Sequence, residues 1–346
     1  MSGRDRGEYF RPESMVRTAF ESTLGRRPKK KEILRYLRAL ESGGMNFEAL
    51  LWALLDSPEY CRLHGPGGRS HRLGQESSAE LARKLRHGML SWADFDAVWQ
   101  SVLPPDKSLI IGQSEYLRTH KHRFFELLNA FVLLAPEGGR VLEFGVSEFS
   151  RFYKHMRPGC TLVTSDRPTE PGFPGFTPWR CKAVSGCDLH LEIDLEANEN
   201  PEVWKPLSES TPFDFVILAE VLEHLRVEPV KLIRKILSLL RPEGYLYIST
   251  PNFFSRERLE QLAMMRNPQS CYPGLDDNWD AHHHYREYSM PEMVEIIHAA
   301  GGKIQTCYFS DCWDKKKDRH LELHPAERAG LVLVVSKGDM ENFKAS

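Results

Sequence analysis

Apolar residues recur at helical spacing in the first 60 positions, and beyond Arg140 short apolar runs alternate with helical stretches. The first region predicts three helices. One covers residues 14–20 and is broken by Gly25-Arg-Arg-Pro28. A second covers residues 29–40, with Ile33, Leu34, Leu37 and Leu40 on one face. Pro28 is expected to open it, since a proline in the first turn loses no needed hydrogen bond. Ser42-Gly-Gly44 ends it. A third, from about Asn46, turns Phe47, Leu50, Leu51, Leu54 and Leu55 inward and stops near Ser57-Pro-Glu-Tyr60. Residues 65–74 are glycine-rich and polar, which suits a linker. One or two further helices are expected over residues 80–102, and a long one over residues 114–134.

The later apolar runs are Val141-Leu-Glu-Phe-Gly145, Thr161-Leu-Val-Thr-Ser-Asp166, Leu189-His-Leu-Glu-Ile-Asp194, Phe213-Asp-Phe-Val-Ile-Leu218 and Tyr245-Leu-Tyr-Ile-Ser-Thr250. Regular alternation of this kind predicts an α/β fold, a Rossmann-like doubly wound and mostly parallel sheet, preceded by a small all-α N-terminal domain. The expected boundaries are a helical module over residues 1–64, a linker with helices over 65–105, and the α/β domain over 106–340. Ligands of such sheets bind outside the carboxyl ends of the strands, so the residues closing each strand carry the candidate chemistry.

Composition narrows the field modestly. Lys and Arg (46) nearly balance Asp and Glu (48), so the basic excess usual in nucleic-acid binders is missing and nucleic acid is an unlikely partner. No stretch of about 18 apolar residues suggests a transmembrane helix, and the polar N-terminus lacks the apolar core of a signal peptide. The seven cysteines are odd in number and scattered, without a close pair, which points to free thiols and a cytoplasmic setting.

Two resemblances follow from the motifs. Val16-Arg-Thr-Ala-Phe-Glu-Ser-Thr-Leu-Gly-Arg-Arg-Pro28, Tyr36-x-x-x-Leu40-x-x-Gly43 and Leu55-x-Ser57-Pro58-Glu59-Tyr60 resemble a phycobilisome-linker-like helical domain of unknown function. Such domains often accompany enzymes of bacterial surface-glycan assembly, which implies a docking role toward a protein partner; a plain helical cap is the alternative. The α/β region resembles class I S-adenosylmethionine-dependent methyltransferases, in particular their ubiquinone-pathway branch. The resemblance is carried by Val141-Leu-Glu143-Phe-Gly145, by Phe213-Asp-Phe-Val-Ile-Leu-Ala-Glu220-Val-Leu-Glu223-His224, and by Leu240-Arg-Pro-Glu-Gly-Tyr-Leu-Tyr-Ile-Ser-Thr-Pro-Asn252.

That resemblance implies a cofactor site. Gly145 would let the backbone approach S-adenosylmethionine, with Glu143 setting the loop near its amino-acid end. Ser147 would line the same loop, and Ser147 and Phe149 stand where further glycines are usual. Asp166 would accept from the ribose hydroxyls, Asp194 from the adenine amino group or else cap a helix, and Glu220 would face the cofactor.

Glu220, Glu223 and His224 fall at i, i+3 and i+4, one face of a helical turn. Downstream lies Asp280-Ala-His282-His283-His284-Tyr-Arg286-Glu287-Tyr288. His224 or His284, with Glu223 beside them, could remove a proton from an acceptor hydroxyl. Alternatively Glu220, Glu223, His224 and His284 hold a divalent metal such as Mg, Mn or Zn, as the resemblance to small-RNA 2′-O-methyltransferases implies. A packing role for the Glu-His pair is the third possibility. Trp279, Tyr285 and Tyr288 could stack on a ring-shaped acceptor, and Arg256 and Arg258 could face an anionic one.

The function expected is therefore O-methylation of a glycan or sugar-linked hydroxyl. A small aromatic or lipid-like acceptor is the alternative. So is an inactive binding module, for which the altered glycine loop would be the reason.

Overall fold

The computed structural model describes residues 10–64, 76–102, 120–168, 177–269, 283–310 and 324–338. Among the described residues, seven helices come first: α1 (Pro12–Leu24), α2 (Lys30–Glu41), α3 (Phe47–Leu55), α4 (Pro58–Leu63), α5 (Ser78–His87), α6 (Trp92–Val102) and α7 (Lys121–Leu134). The alternation follows as β1 (Arg140–Phe144), α8 (Arg151–Met156), β2 (Thr161–Asp166), α9 (Pro178–Ser185), β3 (Leu189–Glu192), α10 (Pro201–Ser208), β4 (Phe213–Ala219), α11 (Pro229–Ser238) and β5 (Leu240–Pro251). Helices α12 (Arg256–Ala263) and α13 (Met290–Ala299) and strands β6 (Gly302–Ser310) and β7 (Gly330–Lys337) complete it.

The strands form one seven-stranded sheet in the order β3-β2-β1-β4-β5-β7-β6. β1 to β5 pair in parallel, and β7 runs antiparallel between β5 and β6. Strands buried on both faces read as near-continuous apolar runs, which is why β1, β4 and β5 were recognisable. From β1 the chain order proceeds outward in both directions, so the crevice between the carboxyl ends of β1 and β4 is the expected ligand site.

Some local expectations are corrected. Pro28 does not open α2: Lys29 is the N-cap, and the Glu32 carboxylate reaches back to the Lys29 N–H at 2.5 Å. The α2 helix buries no residue fully, and Leu34 is 44 % exposed, because only the Ile33, Tyr36 and Leu40 side packs on the core. The inward set of α3 is buried as expected. The expected helix over residues 114–134 is described from Lys121 onward; its earlier part lies outside the described residues.

The N-terminal helices close the free edge of β6. An edge strand presents unpaired backbone groups, and here side chains meet them. Trp52 Nε1 donates to the Cys307 carbonyl at 2.7 Å, Ser78 Oγ to the Gln305 carbonyl at 2.9 Å, and Arg86 Nη2 to the Phe309 carbonyl at 2.8 Å. Glu48 accepts the Phe309 N–H at 2.8 Å and Tyr60 Oη accepts the Ile304 N–H at 3.0 Å. One apolar core runs from Val16, Leu50 and Leu54 through β6 and α13 to the centre of the sheet.

Candidate active site

The β1 loop is built from below. Gly145 turns with φ +81°, its N–H donates to the Ser165 carbonyl at 2.9 Å, and a Cβ there would come within 2.9 Å of Val221 Cγ2. Glycine is therefore required at this position, both for the left-handed turn and for the close approach. Ser147 Oγ accepts the Phe149 N–H at 3.2 Å, and Ser150 Oγ accepts the Ser147 N–H at 3.3 Å, which caps a single tight turn at Glu148–Ser150. Glu143 is buried beneath this turn, where the Ser150 hydroxyl donates to it and the Tyr153 hydroxyl donates at 3.1 Å. Burial pushes the Glu143 carboxyl up to about 8, opposed by those two hydrogen bonds.

Phe149 packs into the core. Its ring is fully buried and stacks on Phe124 (4.4 Å, 16°) and Phe152 (4.5 Å, 18°), inside an aromatic layer shared with Trp99. The side chain thus leaves the loop on its core side. Burying a ring of this size strengthens the loop's attachment to α7 and α8.

Asp166 closes β2. Its Oδ1 accepts the Arg167 N–H at 2.8 Å and its Oδ2 the Val146 N–H at 3.3 Å, so it is tied to the β1 loop; burial raises its pKa against these bonds. Asp194 lies beyond β3, where Oδ1 caps the turn Leu195–Ala197 through the Glu196 N–H at 2.9 Å. One of its expected roles, the cap, is thus realised.

The Glu220-to-His224 stretch is not the helical turn that its spacing suggested. Glu220 has φ +54°, Leu222–His224 is a 3-10 turn, and α11 begins only at Pro229. Glu220 consequently separates from Glu223 and His224 and pairs with Arg123 at 3.2 Å, both side chains being more than nine-tenths buried. Neither Glu220 carboxylate oxygen has a hydrogen-bond partner.

Glu223, His224 and His284 come together, their nearest ligand atoms lying within 4.8 Å of one another. His224 Nδ1 lies 3.0 Å from the His283 carbonyl, and His284 Nδ1 lies 2.8 Å from Glu287 Oε1. A carbonyl and a carboxylate can only accept, so each imidazole donates from Nδ1, and in its neutral form the Nε2 lone pair is the one available to a ligand. Glu223 is 1 % exposed and accepts from Thr250 Oγ1 at 3.1 Å; burial, then the Glu220 charge, raise its pKa well above the usual carboxylate range. Its backbone carbonyl accepts the Tyr285 N–H at 2.8 Å, which fixes the histidine segment over the β4 loop.

Other expected residues fall elsewhere. Arg256 pairs with Glu327, and Arg258 grips Glu287 through Nε (3.0 Å) and Nη2 (2.5 Å), so both expected anion-binding arginines hold structural acids instead. Tyr288 is buried and bridges Asn252, which removes it as a stacking surface. Tyr285 packs against His283 and Arg226. Trp279, Asp280 and His282 lie outside the described residues. Arg123, Thr250 and Glu287 were missed, because each acts through a partner far along the chain or on a neighbouring turn and leaves no spacing signature.

A glycine-turned β1 loop, an acid closing β2 and a buried Glu-His group beyond β4, in that order around one crevice, coincide with a match of residues 116–303 to the profile of the methyltransferase domain family. The chain belongs to that family. It is a class I S-adenosylmethionine-dependent methyltransferase. No curated protein matches the sequence of this methyltransferase. Among solved structures it is similar to an S-adenosylmethionine-dependent methyltransferase from Thermotoga maritima (19 % identity, TM-score 0.41, 64 % of this chain and 93 % of that one). A methyltransferase from Mesorhizobium loti (16 %, 0.40, 60 % and 95 %) is also similar. So is the 1,6-didemethyltoxoflavin N1-methyltransferase of Burkholderia thailandensis (19 %, 0.36, 76 % and 92 %). No helix among the described residues is long and apolar enough to cross a membrane.

Proposed function

We propose that this methyltransferase transfers the S-adenosylmethionine methyl group to a hydroxyl oxygen, with a divalent cation held by Glu223, His224 and His284. The observation that carries the reading is the pair of imidazoles anchored at Nδ1, by the His283 carbonyl and by Glu287, with a ring nitrogen of each within 4.8 Å of a ligand oxygen of the buried Glu223. Histidine ligands are commonly oriented in this way by an outer acceptor. Glu223 adds a buried acid beside these two imidazoles, and a cation would supply the counter-charge that favours its ionised form. A bound divalent cation would lower the pKa of an acceptor hydroxyl and orient it for in-line attack on the methyl carbon.

The residues fit the methyl donor. Asp166 uses one lone pair on each oxygen for the backbone and keeps the others for ribose hydroxyls. Asp194 Oδ1 is engaged in its cap, and the adenine amino group is assigned to Oδ2. Gly145 and Ser147 form the loop edge. Glu143 acts from beneath that loop, and Glu220, directly after β4, is ion-paired with Arg123 and has no hydrogen bond on either carboxylate oxygen. With Phe149 packed on its core side, the loss of glycines does not argue for an inactive binding module.

For the acceptor we favour a glycan or sugar-linked hydroxyl, on the resemblance of residues 16–60 to the helical domain that accompanies glycan assembly; a small aromatic or lipid-like hydroxyl is the alternative. A protein partner for those helices belongs to the same reading, and so does assignment to the ubiquinone-pathway branch. The free thiols Cys61, Cys160, Cys181, Cys187 and Cys307 support a reducing, cytoplasmic setting. The test is methyl transfer from isotope-labelled donor to sugar and to phenolic acceptors, with and without chelator. Chelator-sensitive labelling of oxygen is expected, and full activity in chelator would remove the metal from the proposal.

A further inference from the structure

Helix α2 carries charge against its own stability. Between Arg26 and Glu41 the sequence holds seven basic and two acidic residues. Lys29 is the N-cap, and Lys30 and Lys31 follow in the first turn, where the helix dipole disfavours cations. Lys31, Arg35 and Arg38 stand at i, i+4 and i+7, with Leu34 between them, and like charges one turn apart also weaken a helix. That face is turned to solvent: Lys30, Lys31, Leu34, Arg35 and Arg38 are exposed, while Ile33, Tyr36 and Leu40 hold the helix to the core. The nearby acids do not compensate it. Arg26 takes Glu32 through Nη1 (3.0 Å) and Nη2 (2.8 Å) and Glu59 through Nη2 (2.7 Å), and Arg27 pairs with Glu21 at 3.3 Å. Among the described residues, Lys30, Lys31, Arg35 and Arg38 have no ion-pair partner. Glu41, three residues after Arg38, is left at the far end of the face. Local violations of this kind concentrate at functional surfaces.

We propose that this face of α2 docks the protein on an anionic lipid bilayer, with Lys30, Lys31, Arg35 and Arg38 against the headgroups and Leu34 set among them. A basic residue near an anionic bilayer strengthens attachment by about five-fold, so the four together supply roughly 10²- to 10³-fold. The attraction acts within about 10 Å at 0.1 M salt, so the acidic residues elsewhere in the chain do not cancel it. Leu34, 44 % exposed at the centre of the charged face, decides between anionic partners. An apolar side chain gains by entering the headgroup region and gains little against a phosphate backbone in water. The face also lacks a ring on which bases could stack: Tyr36 is half-buried and packs edge-on against Phe20, with centroids 5.7 Å apart. The partner that fits is therefore a surface with many anions and an apolar layer beneath them.

The test is flotation of the full chain with phosphatidylcholine vesicles and with vesicles containing about one-third phosphatidylserine, at low and at high salt. Single-stranded RNA and polyglutamate are titrated in the same buffers as soluble polyanions. Wild type is expected to float with the phosphatidylserine vesicles alone and to be released by salt. The triple variant Lys31→Gln, Arg35→Gln, Arg38→Gln should bind those vesicles about 10²-fold more weakly. Leu34→Gln should weaken vesicle binding several-fold and leave any affinity for the soluble polyanions unchanged. All four positions are exposed, so wild-type melting temperatures are expected for both variants. Should the triple variant unfold early, Arg35→Gln alone is read, with about five-fold weakening expected. No flotation of wild type with anionic vesicles, equal flotation with phosphatidylcholine, or unaltered vesicle binding in either variant would overturn the proposal. Tighter binding to RNA or to polyglutamate than to the vesicles would also overturn it, and would give the face to a nucleic acid or to an acidic protein.

Discussion

His284 donates its Nδ1–H to Glu287 at 2.8 Å, and Arg258 holds the same carboxylate from its other side. The ring of His284 is thereby fixed in place, with one ring nitrogen within 4.8 Å of the ligand atoms of Glu223 and His224. An outer acceptor of this kind typically changes metal affinity by about 10- to 100-fold. Glu287→Gln is accordingly expected to weaken manganese binding by that order while thermal unfolding stays cooperative. Unchanged metal affinity in a folded Glu287→Gln protein would show that His284 is not a ligand.

Phe149 occupies a position where the family usually carries glycine, and its ring is part of the core. Truncation of a buried aromatic residue costs about 3–5 kcal/mol. Phe149→Gly is expected to lose stability of that order in denaturant unfolding without gaining affinity for S-adenosylhomocysteine. A variant equally stable and tighter for the ligand would mean that the ring obstructs the loop.

The division between what was legible and what was not follows the range of the interactions. Strands β1, β2, β4 and β5 announced themselves because both their faces are largely buried, and the edge strand β3 by its short apolar run. Strand β6 did not: Lys303, Gln305 and Thr306 interrupt its apolar run, and their burial depends on helices some 230 residues earlier in the chain, such as Ser78 accepting Thr306 Oγ1 at 2.7 Å. The Glu-His group was legible as a motif, but its geometry was not. Spacing at i, i+3 and i+4 implied a shared helical face, whereas the left-handed Glu220 rotates its side chain away toward Arg123, 97 positions upstream. No local pattern encodes that pairing. The seam between the N-terminal helices and β6 was also invisible, since it consists of side chains meeting backbone groups across the chain.

That seam titrates. His298 Nδ1 donates to the Ser22 carbonyl (3.2 Å), its Nε2 accepts from Tyr60 Oη (3.0 Å), and the His64 ring stacks on it at 4.1 Å. Burial lowers His64 to about 4 and His298 to about 3, with Lys303 also opposing charge on His64. The unfolded chain binds these protons near pH 6.5 and the native state does not, so stability is full above 6.5 and falls as pH drops toward 4. His298→Gln, which keeps a donor for Ser22 and an acceptor for Tyr60, is expected to flatten that decline in melting temperature between pH 6.5 and 4. An unaltered slope would assign the acid sensitivity to other groups.

The most direct test of the account is calorimetric binding of S-adenosylhomocysteine to wild type and Asp166→Ala, each with and without manganese. The account expects micromolar binding to wild type, loss of that binding in Asp166→Ala, and a separate metal-binding heat that survives in Asp166→Ala but disappears in His224→Ala. Absence of ligand binding to wild type, or undiminished binding to Asp166→Ala, would contradict it.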